Sequence, residues 1–153
     1  KDIDKFEIME NVSNAIRMIN SSDWLVIVVT NQPQVAKGIL SKKGVDAMHT
    51  KMNKILNAEG AKLDGIYYCP CLDCECRKPK QGMYKQAQKD FDIDFKKSVF
   101  IGDTTRDVAV TNQIGGKSIL LNCGLGGKDN KYDVDPDYRC EDLYAAVKLI
   151  LQK

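Results

Sequence analysis

The chain has 153 residues, of which 43% are hydrophobic and 29% are charged, and its formal net charge is +2. These values are typical of one globular domain with its own core, and so small a charge excludes an electrostatic argument for nucleic acid or an anionic membrane as partner. No apolar run approaches the roughly 20 residues that a membrane span needs, and no signal peptide is visible at Lys1, so we expect a cytoplasmic protein.

The first half of the chain alternates between helical and extended patterns. Apolar residues at helical spacing predict a helix over residues 7–20. The continuous apolar run 24–29 predicts a strand that is buried on both faces of a parallel sheet. Ser41 is expected to cap a second helix that ends at Gly60, and residues 65–68 form a short strand.

The second half continues the alternation. The predicted elements are a helix over residues 83–90, a strand over 99–101, a helix over 105–113, a strand over 118–121 and a helix over 141–151. This order favours an α/β fold with an open, mostly parallel sheet and helices on both faces. Ligands of such sheets bind at the carboxyl ends of the strands, so Thr30, Asp103 and the segment after residue 68 should converge there.

Four cysteines fall within eight residues, with the spacing C-x-C-x2-C-x-C, at positions Cys69, Cys71, Cys74 and Cys76. In a chain without an export signal, such a cluster favours metal binding over disulfides. Four thiolates suit a structural zinc with no open position for water, and the alternative is four unliganded thiols. The zinc would fix the loop that carries Arg77 and Lys78, two cations suited to phosphate, although basic loop residues are often only solvated.

Two polar segments follow predicted strands. The hydroxyl and backbone N–H groups of residues 30–32 can hold phosphate oxygens, or the segment is a simple turn. Asp103 at a strand end suits a hard cation such as Mg²⁺, and its alternative role is to cap the following helix. Asp107, four residues later, could orient the cation or a neighbour. His49, the single histidine of the chain, is expected at the surface rather than in catalysis.

Three strings together resemble the haloacid-dehalogenase (HAD) superfamily. They are residues 28–38, residues 69–83 and residues 101–107. More narrowly, they are similar to the small capless phosphatases that act on heptose 1,7-bisphosphate or on histidinol phosphate. The resemblance implies a single HAD-like phosphatase domain over residues 1–153.

The resemblance also implies roles for individual residues. Thr30 would hold the transferred phosphoryl group, and Lys78 would neutralise it. The residues expected to contact the substrate are Thr30, Asn31, Gln32, Pro33, Arg77, Lys78 and Thr104. Asp103 would be a Mg²⁺ ligand with Asp107 behind it, and zinc would be held by Cys69, Cys71, Cys74 and Cys76. Cys71 stands where the family usually has histidine.

One family motif has no convincing match. The family's first strand ends in Asp-x-Asp, which supplies the nucleophile and the acid–base group. Asp2-Ile3-Asp4 has these letters, but no apolar strand precedes it. We therefore interpret it as a coincidental match, and the domain as missing its N-terminal first strand with both catalytic aspartates.

The resemblance implies Mg²⁺-dependent hydrolysis of a sugar phosphate monoester through an aspartyl-phosphate, with heptose 1,7-bisphosphate preferred and histidinol phosphate as the alternative. A non-catalytic phosphosugar-binding module is the second hypothesis, because the nucleophile is not seen. A zinc-ribbon-like nucleic-acid binder is the third, and the lack of a basic stripe argues against it. We expect a monomer whose partner is a small phosphorylated sugar, without nucleic acid or membrane.

Overall fold

Residues 3–152 are described in a computed structural model of the chain, and they fall into two units, Lys1–Arg77 and Lys78–Lys153. Each unit contains its own parallel sheet. Asp2, the first aspartate of the Asp-Ile-Asp string, lies outside the described residues. The second, Asp4, lies in a short 3₁₀ helix over Ile3–Lys5. The single domain over residues 1–153 stays a prediction.

The first unit has a two-stranded sheet and two helices. Its elements are α1 (Val12–Asn20), β1 (Ile27–Asn31), α2 (Lys42–Ala58) and β2 (Gly65–Cys69). Strands β1 and β2 are parallel, with Thr30 opposite Tyr68 and Asn31 opposite Cys69. As predicted, the Ser41 hydroxyl caps α2 by accepting a hydrogen bond from the Gly44 N–H at 3.0 Å.

Two predictions about the first unit are wrong in their boundaries. Helix α1 begins at Val12 rather than at residue 7, because Asn11 has a left-handed φ of 65° that interrupts helical geometry. Strand β1 begins at Ile27 and is half-buried rather than buried on both faces, while Trp24 and Leu25 are 38% and 49% exposed. The reason is that pairing with β2 starts only at Ile27 opposite Gly65.

The second unit has a three-stranded sheet in the order β3-β4-β5. Its elements are α3 (Gly82–Phe91), a 3₁₀ helix (Phe95–Lys97), β3 (Val99–Gly102), α4 (Thr105–Ile114), β4 (Lys117–Leu121), β5 (Tyr138–Cys140) and α5 (Leu143–Leu151). Both strand pairs are parallel. Ile119, Leu121 and Ala146 form a buried cluster that packs α5 against the sheet.

The parallel α/β class is confirmed, but the sequence analysis missed β5. This strand has three residues and only half-buried or exposed side chains, so it leaves no hydrophobic pattern. It is held instead by Asp137, whose carboxylate accepts a hydrogen bond from the Ser118 N–H at 2.8 Å and whose own N–H donates to the Ser118 hydroxyl at 2.9 Å. Among the described residues, every helix is too short or too polar to cross a bilayer.

Candidate active site

The carboxyl edge of the β1–β2 sheet gathers most of the predicted substrate contacts of the first unit. The Gln32 N–H donates to the Cys69 carbonyl at 2.7 Å, and the Ala36 N–H donates to the Pro70 carbonyl at 3.2 Å. These bonds continue the parallel pairing beyond the strands. The segment after Thr30 and the segment after Cys69 therefore lie side by side, as the rule for parallel sheets predicts.

Thr30 and its neighbours are half-buried and hydrogen-bonded to one another. The Gln32 side-chain amide donates to the Thr30 hydroxyl at 3.2 Å, and that hydroxyl donates to the Asn31 carbonyl at 3.4 Å. The second bond is long, so exchanging it for a hydrogen bond to a ligand oxygen costs little. Whether Thr30, Asn31, Gln32 and Pro33 contact substrate stays a prediction.

The cysteine loop, residues 69–77, is closed by sulfur. Cys69 pairs with Cys76 and Cys71 with Cys74 as disulfides, with Cα–Cα distances of 5.4 and 5.6 Å, where the sequence analysis expected four thiolates. Both separations are within the ordinary range of disulfides. The Sγ atoms of Cys69, Cys71 and Cys76 also lie within 4.8 Å of one another. Tetrahedral zinc with bonds of about 2.3 Å needs sulfurs about 3.8 Å apart, so the reduced loop could hold a metal.

Arg77 is anchored to the backbone of the cysteine loop. Its N–H donates to the Cys74 carbonyl at 3.0 Å, and its guanidinium Nη1 donates to the Cys71 carbonyl at 3.3 Å. The guanidinium has five N–H donors in all, so this contact leaves others for an anion. The disulfide-closed loop thus sets the direction of Arg77 through two of its backbone carbonyls.

Lys78 forms an ion pair with Asp107 inside the second unit. The Lys78 Nζ lies 2.7 Å from Asp107 Oδ1, and the two side chains are only 14% and 12% exposed. Because both charges are largely removed from water, the pair fixes the position of the ammonium group. The structure therefore shows which atom Asp107 orients: it is the Lys78 ammonium.

Asp107 also closes the start of α4. Its Oδ2 accepts hydrogen bonds from the Thr104 hydroxyl at 2.8 Å and the Thr104 N–H at 3.3 Å, which completes a capping box. The alternative reading of Asp103 as the helix cap is wrong, since Thr104 occupies that position. A Cβ at Gly102 would come within 2.2 Å of Asp107 Oδ2, so only glycine permits this approach.

Asp103, the predicted magnesium ligand, is held by a segment that the sequence analysis did not identify. We call residues 124–129 the glycine strap. The Leu125 N–H donates to Asp103 Oδ2 at 2.9 Å, and the Gly127 N–H donates to the Asp103 carbonyl at 2.8 Å. The signal in the sequence was three glycines within residues 124–127, shortly after the predicted strand over residues 118–121.

The glycine strap ends in a carboxylate at the start of α4. Asp129 accepts hydrogen bonds from the Thr105 N–H at 2.9 Å and from the Thr105 hydroxyl at 2.6 Å. Partial burial opposes ionisation of Asp129, but these hydrogen bonds and the nearby Arg106 charge together hold its pKa below the ordinary value. Asp129 is therefore ionised at neutral pH, as suits the positive end of a helix dipole.

Two further residues acquire a place near the predicted site. His49 is half-buried, not at the surface as predicted. The centroids of the His49 and Tyr68 rings are 5.5 Å apart in an edge-on arrangement. Tyr68 is the residue opposite Thr30 in the strand register. Burial lowers the pKa of His49, against the opposing charge of Asp46. In the second unit, burial and then the Asp107 charge raise the pKa of Tyr84, so this phenol stays neutral.

Comparison with known proteins gives consistent matches. A profile of HAD-like hydrolases matches residues 75–146. The D-glycero-beta-D-manno-heptose-1,7-bisphosphate 7-phosphatase of Bordetella bronchiseptica is 32% identical over 158 residues, covering 100% of this chain and 88% of that protein. The D-glycero-alpha-D-manno-heptose-1,7-bisphosphate 7-phosphatase of Campylobacter jejuni is 37% identical over 122 residues, covering 78% of this chain and 71% of that protein.

A solved structure agrees with these relatives. The crystal structure of the D,D-heptose 1,7-bisphosphate phosphatase from B. bronchiseptica, complexed with magnesium and phosphate, matches with a TM-score of 0.91 and 30% identity. The match covers 99% of this chain and 88% of that chain. The chain belongs to the HAD-like hydrolases, within the family of the heptose-1,7-bisphosphate 7-phosphatases.

Proposed function

We propose that this protein is a magnesium-dependent phosphatase that removes one phosphate from a sugar phosphate monoester, most closely matching a heptose 1,7-bisphosphate 7-phosphatase. The observation that carries the proposal is the buried Lys78–Asp107 pair at 2.7 Å, on the same turn as Asp103. The turn that carries Asp103 thus also holds the Lys78 ammonium in place through Asp107, and a cation and a carboxylate are the two charges that phosphoryl transfer requires. The names of relatives that are 32% and 37% identical support the same reaction.

Lys78 and Asp103 have complementary roles in the proposed reaction. The Lys78 ammonium would neutralise a phosphoryl oxygen, and because Asp107 holds it beforehand, little reorganisation is needed during the reaction. Asp103 fits Mg²⁺ because its Oδ2 is occupied by the Leu125 N–H while Oδ1 has no hydrogen-bond partner among residues 3–152. A bound Mg²⁺ would offset the negative charge of the phosphoryl group.

The remaining predicted contacts would bind the substrate. The Thr30 hydroxyl would donate to the phosphoryl group, and the Arg77 guanidinium would recognise an anionic part of the sugar phosphate with its remaining donors. Asn31, Gln32, Pro33 and Thr104 would line the substrate. The aspartate nucleophile and its acid–base partner would come from the family's first motif, which we do not assign to any described residue.

We also propose that the cysteine loop holds a structural zinc in the cell. Four cysteine sulfurs are a suitable donor set, and three of them already lie within 4.8 Å of one another. The zinc would replace the two disulfides as the closure of the loop and would keep the Cys71 and Cys74 carbonyls in place for Arg77. The reducing conditions of the cytoplasm, our predicted compartment, favour the metal.

The substrate is tested by phosphate release from the complete encoded protein with Mg²⁺. Heptose 1,7-bisphosphate in both anomeric forms is compared with histidinol phosphate and with common hexose phosphates, because the relatives' names include both anomers. We expect the heptose to have the highest kcat/KM. Turnover of only the other compounds would refute the substrate, and binding without turnover of any compound would favour the non-catalytic module.

A further inference from the structure

We propose that the glycine strap positions the Asp103 carboxylate for the metal, which makes Gly124 and the Leu125 backbone positioning elements of the magnesium site. This inference rests on the proposed function, since it takes Asp103 as the metal ligand. The strap carries no proposed catalytic side chain and acts on the ligand through backbone groups.

The hydrogen bonds of the strap distinguish the two oxygens of Asp103. The Leu125 N–H engages Oδ2 at 2.9 Å, while Oδ1 has no hydrogen-bond partner among residues 3–152. Binding one oxygen fixes the plane of the carboxylate and leaves the other oxygen for a hard cation. Hydrogen bonds from outside the ligand sphere are a general means of orienting metal ligands.

Gly124 lies against the same carboxylate oxygen. Its φ of +61° is left-handed, and a Cβ built on it would lie 2.3 Å from Asp103 Oδ2 and 3.2 Å from Asp103 Cγ. No carbon atom can approach so closely, so any side chain at position 124 must change the position of the carboxylate relative to the strap. The strap thus encloses Asp103 by contact as well as by hydrogen bonds.

The far end of the strap is also anchored by hydrogen bonds. Asp129 is bonded to both the N–H and the hydroxyl of Thr105, at 2.9 and 2.6 Å. The strap therefore forms hydrogen bonds with both neighbours of Thr104, which are Asp103 and Thr105. On the same turn Asp107 binds Lys78, so the proposed metal ligand and the carboxylate that holds the Lys78 ammonium belong to one segment.

The test compares two glycine-to-alanine substitutions in the complete protein. Gly124→Ala forces a side chain against Asp103. Gly60→Ala places alanine at a similar left-handed φ of +79°, but its Cβ meets only the Arg17 Cδ atom at 3.4 Å. Both variants carry the backbone cost of alanine at positive φ, and only the first disturbs the carboxylate.

The primary measurement is Mn²⁺ binding without substrate, followed by electron paramagnetic resonance of the free ion, with melting temperature recorded in parallel. Mn²⁺ accepts the same oxygen ligands as Mg²⁺. We expect Gly124→Ala to bind Mn²⁺ roughly 10–100-fold more weakly than wild type. Gly60→Ala should remain within about twofold of wild type, since it alters no contact of Asp103.

Wild-type affinity in a folded Gly124→Ala protein would overturn the inference, even if phosphatase activity is established. Conversely, absence of turnover in wild type would reject the proposed function, while the Mn²⁺ measurements would still decide the role of the strap. If Gly124→Ala does not fold, the Mn²⁺ affinity of Asp129→Asn is measured instead. This variant weakens the hydrogen bonds between the strap and Thr105 and leaves the contacts of Asp103 in place. We expect this variant to bind Mn²⁺ several-fold more weakly, and unchanged affinity would refute the proposal.

Discussion

The cysteine loop and the glycine strap both fix a charged side chain, but they use opposite chemistry. The cysteine loop closes through four sulfur atoms and directs Arg77 with two backbone carbonyls. The glycine strap has no such cross-link and directs Asp103 with two backbone N–H groups. We expect the first to respond to redox state and, if it holds the proposed zinc, to metal supply, whereas the second should respond mainly to steric change.

The difference indicates where each region is vulnerable. Carbonyl acceptors suit a cation, and N–H donors suit an anion, so each loop matches the charge it holds. Losing the closure of the cysteine loop should free Arg77 without affecting Asp103. Adding a side chain at Gly124 in the glycine strap should displace Asp103 without affecting Arg77.

The largest effect should come from replacing Lys78. This residue follows the cysteine loop directly, and it pairs with Asp107 on the turn that the glycine strap contacts. Lys78→Met should lower kcat/KM by about 10²–10³-fold, as does loss of one group that stabilises transition-state charge. It should also destabilise the fold by about 3–5 kcal/mol, because Asp107 is left largely buried without its cationic partner. Steady-state kinetics and denaturant unfolding measure the two losses.

A double variant separates these two losses. Lys78→Met with Asp107→Asn removes both charges, so most of the stability should return while activity stays low. Recovery of activity together with stability would show that Lys78 serves only the fold.

The cysteine loop should lose its hold on Arg77 when its closure is removed. Protein isolated under reducing conditions should contain about one zinc per chain and, after denaturation, six titratable thiols, whereas the disulfide form has two, Cys123 and Cys140. Removing the zinc should raise KM about tenfold through Arg77, with a smaller effect on kcat. Two thiols and no zinc in the reduced preparation would contradict the zinc proposal.

A milder change at the same loop is Arg77→Lys. Lysine keeps the charge but cannot provide a planar fork of donors, so KM should rise about fivefold to tenfold with kcat nearly unchanged. The matched control is Arg106→Lys, which changes an arginine of the second unit outside the predicted substrate contacts. An equal rise of KM in both variants would remove the special role of Arg77.

The smallest expected effect concerns pH. Partial burial raises the pKa of Asp129, but the hydrogen bonds from Thr105 and the Arg106 charge together hold this pKa below its ordinary value, so the ionised form stabilises the fold. That contribution is complete above the ordinary carboxyl pKa and is lost as pH falls through the lowered folded value. The melting temperature of wild type should therefore fall more steeply than that of Asp129→Asn between about pH 5 and pH 3.

A second acid-sensitive carboxylate supplies the control for this measurement. The pKa of Asp137 is also lowered, first by the hydrogen bond from the Ser118 N–H, with partial burial opposing it. Asp137→Asn should reduce the acid sensitivity in the same direction. It should leave Mn²⁺ affinity unchanged, whereas Asp129→Asn should weaken it.

The parts of this molecule that use side-chain patterns could be predicted from the sequence. Helix α2 with its Ser41 cap, strands β2 to β4 and the start of α4 all have strong patterns, and they appear within one or two residues of the predicted bounds. The cluster of four cysteines was equally visible, although whether sulfur pairs with sulfur or with a metal depends on conditions outside the sequence.

The parts that depend on backbone geometry could not be predicted in this way. Strand β5 is held by Asp137, and the glycine strap acts through N–H groups that every residue except proline has. The left-handed Asn11 that shortens α1 has no pattern in the letters around it. His49 was misplaced because helical spacing alone does not show that Tyr68 lies across from it.

Gly102 has a consequence for how this protein can evolve. A methyl group at this position would come within 2.2 Å of Asp107 Oδ2, so even the smallest replacement displaces the partner of Lys78. A library of random variants should therefore tolerate changes at position 102 as poorly as at the charged residues themselves. Gly102 has no reactive side chain, yet it should be among the positions that change least during evolution.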